Sequence, residues 1–254
     1  MGRIYRADLH IHTVLSPCGE LEMDAPGIVG RARDEGIDII AVTDHNASDN
    51  YRAVSDYADG NPVVLPGMEV QTGEDIHVLT IFADEDTVKK FQEIIRLKMM
   101  PMKNAPEVFG HQPIIDSKGD ILEFEDLLLM QGTLYDIDSV VRMTQERGGI
   151  AILAHVDRPS FSYTAALGPF PEDYPADAFE ISSAASGEAA AKWLGKYPLR
   201  TFTRSSDAHM IEHISRDRCT EMYLEAPSFD EIKLAIAGQD GRYIISPWRE
   251  NLDG

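Results

Sequence analysis

Residues that can bind metal ions recur along this chain, each beside an apolar stretch. DLHIHT (8–13) holds His10 and His12 two positions apart, so both imidazoles face the same side if this segment is a strand. Such a pair alone is more often incidental than metal-binding. Further polar groups end later apolar stretches, namely His45 in TDH, Glu69 in PGME, His155 in LAH, and Asp207 and His209 in SDAH, and His77 lies within DIHVL. Six of the eight histidines belong to this set, which packing alone does not explain.

The residue types in this set indicate a site for more than one ion. Imidazole and carboxylate ligands together suit zinc, manganese or iron. The set is too large for a single ion, and a carboxylate such as Glu69 has two oxygens with which it can bridge neighbouring ions. The sequence therefore predicts a cluster of two or three divalent metal ions.

Strand and helix patterns alternate around these residues. Apolar runs predict strands at 3–11, 37–45, 62–70 and 75–82, and Asp24 and Pro26 indicate the start of the first helix. Residues 99–134 break the rhythm with three prolines, and we expect an insertion or small cap there. Alternation over 254 residues favours a single β/α barrel domain, 1–254, whose C-terminal strand ends carry the chemistry. A doubly wound open sheet is the alternative, but no glycine-rich phosphate-binding motif follows the first strand.

The charge balance bears on partners. The chain has 43 acidic residues against 23 lysines and arginines, a formal charge of −20. Because such a surface repels polyanions, we expect a small phosphorylated substrate, with phosphate as product, and long duplex nucleic acid is disfavoured. Bound cations would reverse the field locally. No apolar run is long enough to span a bilayer, no signal-peptide pattern opens the chain, and Cys18 and Cys219 lie far apart. These features predict a cytoplasmic protein without a membrane partner.

Four of the polar segments together resemble a known family. DLHIHT, TDHN, LAHVDRP and SDAH stand in the order of the four motifs of the polymerase and histidinol phosphatase (PHP) family of metal-dependent phosphoesterases. PGMEV and DIHVLTIF look like the family's bridging-glutamate strand and the histidine strand after it. The resemblance covers about residues 4–83 and 146–210. It implies a distorted barrel of seven β/α units with a trinuclear metal site.

The resemblance also implies a ligand set for each ion. The first ion would take His10, His12, Glu69 and Asp207, the second Glu69, His77 and His155, and the third His45, His209 and a residue from the loop after HxH. Many family members have an aspartate in that loop and others a histidine, whereas this sequence has SPCG. Cys18 stands six residues after His12, where the histidine would fall. We therefore predict Cys18 as a ligand, with a water completing the site as the alternative.

Two arginines are candidates for binding phosphate. Arg158 follows His155 by three residues, and Arg204 precedes Asp207 by three. A guanidinium matches two phosphate oxygens at once, although a salt bridge to one of the many carboxylates is the alternative for each. Asp8 and Asp44 are either partners that orient the neighbouring imidazoles or ordinary polar residues.

The function that follows is a metal-dependent phosphoric ester hydrolase. It would hydrolyse a small phosphate ester or nucleotide with metal-activated water while the arginines hold the non-bridging oxygens. The donor of the leaving-group proton stays open among His209, Asp207 and water. One alternative is a 5′–3′ exonuclease on short single-stranded oligonucleotides. Another is an amidohydrolase-like C–N hydrolase, although Glu69 stands where those enzymes commonly carry a carboxylated lysine. A non-enzymatic, metal-stabilised binding domain is the third, and intact ligands in every motif argue against it.

Overall fold

The computed structural model describes residues 2–245, and within that range the chain forms eleven strands and eight α-helices. The strands are β1 (Arg3–Ile11), β2 (Ile39–Val42), β3 (Val63–Gln71), β4 (His77–Ile81), β5 (Pro113–Ile115), β6 (Ile121–Phe124), β7 (Ile150–Leu153), β8 (Ala178–Glu180), β9 (Phe202–Thr203), β10 (Thr220–Leu224) and β11 (Tyr243–Ile245). The helices are α1 (Ala25–Asp34), α2 (Tyr51–Ala58), α3 (Glu85–Arg96), α4 (Pro106–Phe109), α5 (Ile137–Glu146), α6 (Tyr163–Leu167), α7 (Gly187–Lys196) and α8 (Phe229–Ala237). No helix in the described range has the length and hydropathy needed to cross a bilayer.

Nine strands form one sheet in the order β11-β10-β1-β2-β3-β4-β7-β8-β9. β9 is the final strand in this order. The chain that follows β9 comes back to β1, where Ala208 forms a parallel bridge with Ile11. The sheet therefore curls until it nearly closes. This closure confirms the predicted fold, a distorted barrel of the PHP type.

Apolar side chains pack on both faces of the curved sheet. A core cluster that includes Leu9, Ala41, Leu79 and Ile152 draws on most of the strands, and it fills the interior. A second cluster joins the outer face of β1 and β2 to α1 and α2. Asp24 caps α1 by accepting a hydrogen bond from the Gly27 amide at 2.7 Å, as the sequence predicts.

Two strands of the large sheet depart from simple β/α alternation, namely β10, which pairs antiparallel with β1, and β4. β3 and β4 form an antiparallel hairpin with Glu69 opposite Leu79 and Gln71 opposite His77. The N-terminal end of β4 therefore lies at the same edge of the sheet as the C-terminal end of β3. His77 reaches the site from the beginning of its strand, so the expectation that all candidates sit at C-terminal strand ends is wrong for this residue.

An irregularity in β1 changes which side chains face the interior. The pairing of β1 with β2 shifts register between Asp8 and Ile11. Leu9 packs in the interior cluster, whereas Ile11 packs in the outer cluster with α1 and α2. Such a bulge breaks the two-residue alternation and re-aims the side chains beyond it. The two-residue alternation therefore does not predict which face Asp8 shares with the side chains beyond the bulge.

Residues 99–134 contain α4 and a separate two-stranded sheet of β5 and β6. Two buried asparagines from the chain after β2 attach this segment to the barrel. Asn46 donates to the carbonyls of Leu129 and Gln131, both at 2.9 Å, and Asn50 bonds Pro113 and Ile115. The segment thus packs against the edge of the sheet that carries the candidate site.

Candidate metal centre

The sheet brings the predicted metal-binding side chains to one end of the barrel. His10 and His12 stand at the end of β1, His45 three residues past β2, Glu69 within β3, His77 at the start of β4, and His155 two residues past β7. Asp207 and His209 follow β9. All eight residues except His209 are buried. His155 and Asp207 hold positive φ values of 29° and 49°, which are uncommon for residues with a side chain and occur often at functional sites.

Glu69 lies at the centre of this group. Its side chain is 1% exposed, and five imidazoles surround the two carboxylate oxygens. Oε1 lies 3.2 Å from His10 Nε2, 2.8 Å from His77 Nδ1 and 3.3 Å from His155 Nε2, and Oε2 lies 3.0 Å from His45 Nδ1 and 3.5 Å from His12 Nε2. One carboxylate with imidazoles on both oxygens has the geometry of a bridging ligand.

Asp207 adds a second carboxylate. Its Oδ1 lies 3.2 Å from His10 Nε2 and 3.3 Å from His12 Nε2, and those two nitrogens are 3.2 Å apart. Its Oδ2 lies 2.6 Å from a terminal nitrogen of Arg158. The four residues that the resemblance assigns to the first ion therefore have their donor atoms in contact.

The donor atoms fit divalent cations. Three groups have ligand atoms within 4.8 Å of one another, namely His12, His45 and His209; His10, His12 and Glu69; and His45, Glu69 and His77. Within the described residues, Nε2 of His77 and Nδ1 of His155 are buried without a hydrogen-bond partner. Buried polar atoms normally have a hydrogen-bond partner. Buried atoms that lack one and lie beside other potential metal ligands therefore indicate a site for a cation. The cluster is thus able to bind metal, as expected.

Charges inside the cluster support this assignment. Burial raises the pKa of the Glu69 carboxyl, but His77 and His10 outweigh that effect and hold it well below its usual range. Burial acts on Asp207 in the same way, and His10 together with a hydrogen bond from His12 keeps the pKa of Asp207 well below its usual range. Both carboxylates are therefore ionised, as metal ligands must be.

Cys18 lies at the mouth of the site rather than inside it. Its side chain is exposed, and its thiol faces His209 and His45. Partial enclosure raises the pKa of the thiol, but hydrogen bonds with His209 and His45 outweigh this and lower it to about 7. The structure thus brings Cys18 beside the two histidines that the resemblance assigns to the third ion, while the compact group there consists of His12, His45 and His209.

Two acidic residues, Glu180 and Asp44, hold imidazoles of the site in place. Glu180, at the end of β8, lies 3.1 Å from His10 Nδ1, and the sequence analysis missed it. The one sequence feature that could have identified Glu180 is its position as a carboxylate at the end of the stretch DAFE. Asp44 acts through Ser16, whose hydroxyl donates to Asp44 at 2.7 Å and accepts from His12 Nδ1 at 3.0 Å. Asp8 instead accepts from the Ser206 amide at 3.0 Å, which favours the second of the two interpretations left open for it, an ordinary polar residue.

A cavity of about 280 Å³ opens beside the cluster. Its walls include Glu69, His155, Asp207 and Arg158, and four further residues that the sequence analysis did not identify, Gln71, Met130, Ser160 and Phe161. Arg158 therefore lies on the cavity wall, where its guanidinium would be within reach of a phosphate group in the cavity.

Arg204 is not brought to this cavity. Its guanidinium donates to the Ser183 carbonyl at 3.1 Å, and its backbone amide bonds the Thr220 hydroxyl at 2.8 Å. Arg204 therefore does not line this cavity in the structure, and its phosphate-binding role stays a prediction.

Comparison with known proteins identified a similar sequence and several similar structures. No family model matches the chain. The uncharacterized protein YqxK of Bacillus subtilis (strain 168) is 31% identical over 112 residues, which are 41% of this chain and 28% of YqxK. PfuEndoQ of Pyrococcus furiosus, a lesion-specific endonuclease, superposes with a TM-score of 0.66 at 20% identity and covers 95% of this chain. A two-domain protein from Bacteroides vulgatus with a predicted PHP-like metal-dependent phosphoesterase superposes with a TM-score of 0.55 at 14% identity, over 98% of this chain and 70% of its own.

One of these structures is an endonuclease and another contains a predicted metal-dependent phosphoesterase, and those activities are described for them. This chain spans 58% of the length of the endonuclease and 28% of YqxK. At these identities, the superpositions establish the fold and leave the substrate to be proposed.

The expectation that long duplex nucleic acid is disfavoured is wrong. A complex of endonuclease Q holds a 27-mer duplex substrate with an abasic lesion at its active site, and that structure superposes with a TM-score of 0.65 at 20% identity, over 95% of this chain and 58% of its own. A net charge of −20 describes the whole chain, whereas a bound polyanion meets the local field, which cations and Arg158 can reverse.

The superpositions show that this chain has the fold of the PHP-like metal-dependent phosphoesterases, and the resemblance carried by its six motifs is confirmed at the level of the fold.

Proposed function

We propose that this chain is a metal-dependent phosphoesterase. The observation that carries the proposal is the environment of Glu69, a carboxylate with 1% exposure whose two oxygens meet five imidazoles within 3.5 Å. A bridging carboxylate between closely spaced ions needs such an environment, and paired ions suit phosphoryl transfer. Arg158 lines the adjoining cavity and offers a partner for an anion.

Each ion has a proposed ligand set. His10, His12, Glu69 and Asp207 would hold the first ion, Glu69, His77 and His155 the second, and His45, His209 and Cys18 the third. When bound, divalent cations supply a water of lowered pKa and positive charge for the attacking and leaving oxygens of an in-line displacement. Two or three ions are proposed, with zinc, manganese or iron as the candidates because nitrogen, oxygen and sulfur donors meet.

The chain's own groups orient these ligands and the substrate. Glu180 accepts the Nδ1 proton of His10, so the Nε2 lone pair faces Glu69 and Asp207. Ser16 does the same for His12. Arg158, 38% exposed in its side chain, would bind the non-bridging phosphoryl oxygens from the cavity wall.

A second candidate is cleavage of phosphodiesters in nucleic acid. The superposition with endonuclease Q covers 95% of this chain and favours it, since that enzyme holds a duplex substrate with an abasic lesion at its active site. This chain spans 58% of that enzyme, so DNA contacts made by the rest of the endonuclease are not transferred to it.

The domain organisation is part of the proposal. Residues 1–254 would form one barrel domain, with residues 99–134 as an insertion. The separate sheet of β5 and β6 supports this, and Met130 gives the insertion a place on the cavity wall.

A substrate screen with metal-reconstituted protein tests the proposed function. The panel would contain p-nitrophenyl phosphate, its bis-ester, nucleoside monophosphates, short oligonucleotides and a duplex with an abasic site. We expect chelator-sensitive turnover of at least one of these classes, lost in Glu69→Gln and retained in Glu123→Gln, which changes an exposed carboxylate of β6. An amide substrate should be assayed beside this panel, and its hydrolysis without turnover of any phosphate ester would contradict the proposal and favour the amidohydrolase alternative.

A further inference from the structure

Phe161 lies on the wall of the cavity, in the loop between β7 and α6. Its ring stacks on the imidazole of His77 with centroids 4.9 Å apart and planes inclined by 27°. The side chain is nevertheless 46% exposed. A phenylalanine that needed only to be buried would not remain so open, so the ring is available to a ligand in the cavity.

The backbone at Phe161 is strained. Its φ is 53°, in the left-handed region that a bulky side chain rarely adopts. Its carbonyl accepts a hydrogen bond from the His77 amide at 3.1 Å. The loop therefore fixes the ring beside His77 against a local conformational cost, which is typical of residues that contact ligands.

The loop also fixes Arg158 relative to Phe161. The Arg158 amide donates to the His155 carbonyl at 2.9 Å, and the Ser162 hydroxyl donates to the Arg158 carbonyl at 2.6 Å. The Ser162 side chain also caps α6. An anion-binding group and an aromatic ring thus project into one cavity from a single braced turn.

On the basis of the proposed function, we propose that Phe161 is a stacking platform for the base of a nucleotide unit whose phosphate Arg158 binds. An aromatic ring can stack on any nucleobase, because every base has a π-face. His77 covers one face of the ring and limits its motion, so little side-chain freedom is lost on binding. The thioether of Met130, 39% exposed on the same cavity wall, adds apolar surface. A phosphate ester without a ring would gain none of these contacts.

The competing explanation is that Phe161 merely holds His77 in place. Removing the ring would then lower metal content and slow every substrate alike. A stacking role instead predicts a loss confined to substrates with a base, at unchanged metal content.

Steady-state kinetics separates the two explanations. For Phe161→Ala we expect KM for a nucleoside monophosphate to rise roughly fivefold to a hundredfold, the range for loss of one stacked base. KM for glycerol phosphate and the metal content should stay unchanged. Phe161→Leu, which keeps apolar volume without a π-face, should resemble the alanine variant. Phe109→Ala is the matched control, since Phe109 is 42% exposed on α4 and lies outside this cavity. Equal losses for both substrates would overturn the proposal.

A binding measurement keeps the test independent of turnover. In Phe161→Trp, tryptophan fluorescence should be quenched by a nucleoside monophosphate and not by glycerol phosphate, and Phe109→Trp should respond to neither. A single-stranded oligonucleotide and an abasic duplex, titrated separately, would distinguish a free nucleotide from a nucleic-acid strand as the source. No quenching by any base-containing ligand would refute the stacking role, whereas absence of all ester turnover would refute the proposed phosphoesterase activity.

Discussion

Oε1 of Glu180 lies 3.1 Å from Nδ1 of His10 and 3.2 Å from the backbone amide of His155. Glu180 is 1% exposed and His10 fully buried. One carboxylate at the end of β8 thus joins an imidazole of β1 to the loop after β7. It sets the tautomer of His10 whose Nε2 lone pair points at Glu69 and Asp207.

Loss of Glu180 should therefore weaken metal binding more than it weakens the fold. For Glu180→Ala we expect metal affinity to fall roughly tenfold to a hundredfold, the usual cost of losing such an orienting partner. Competition with a metal-binding dye measures this directly. Glu123→Ala, on the exposed face of β6, is the control and should leave affinity unchanged. Unchanged affinity in Glu180→Ala would assign Glu180 to packing alone.

Much of the site could be predicted because its residues follow strands in short, recognisable motifs. His10 and His12 carry a two-residue spacing, and His45, His155 and Asp207 each follow a strand with its own sequence pattern. A barrel brings such strand ends to one edge. The position of the eight buried or half-buried ligand candidates was therefore open to reasoning from sequence.

Other features depend on contacts that a sequence does not display. Glu180 looks like an ordinary strand residue until β8 is placed near β1. The side chains near Asp8 depend on a bulge in β1, and Arg204 bonds Ser183 and Thr220, which are distant from it in sequence. Net charge is a poor guide to binding partners. It sums the charges of the whole surface, whereas the site occupies only one end of the barrel.

Metal binding should stabilise the folded chain. Glu69 and its imidazoles are buried together, and the unfolded chain cannot assemble this set of ligands. A cation at a hundred times its Kd would add about 2.7 kcal/mol to the free energy of unfolding. Thermal unfolding of chelated and metal-loaded protein should show a higher Tm for the loaded form. In Glu69→Gln that increase should shrink, and an equal increase in both proteins would place the stabilising ion elsewhere.

Arg158 should contribute to turnover and not to metal retention. Arg158→Ala removes a charge-assisted contact to an anion, worth about 1.5–3 kcal/mol, so turnover of phosphate esters should fall roughly tenfold to a hundredfold. Metal content should remain intact by elemental analysis. Arg142→Ala on α5, exposed and paired with Glu146, is the control. Unchanged kinetics in Arg158→Ala would reduce Arg158 to a salt-bridge partner of Asp207.

Cys18 should influence which metal is retained. Cys18→Ser should lower occupancy of one ion and weaken activity with the fold unaffected. Cys18→Asp should keep activity and shift preference toward manganese, because oxygen is a harder ligand than sulfur. Cys219→Ala, at a buried thiol outside the cavity, is the control. An anomalous-scattering map with the Cys18 sulfur well beyond the ~2.3 Å of a zinc–sulfur bond would show that Cys18 is not a ligand.

The most direct test of the central claim is the number of ions per chain in active protein. Elemental analysis should be made on purified protein, on the same protein after chelation, and after reconstitution with manganese or zinc, each beside an assay of phosphate-ester hydrolysis. We predict two or three ions per chain in the active form, loss of activity with the ions, and recovery of both. Glu69→Gln should lose more than one ion, because one carboxylate would serve two of them. Full activity with a single ion or none would contradict the account.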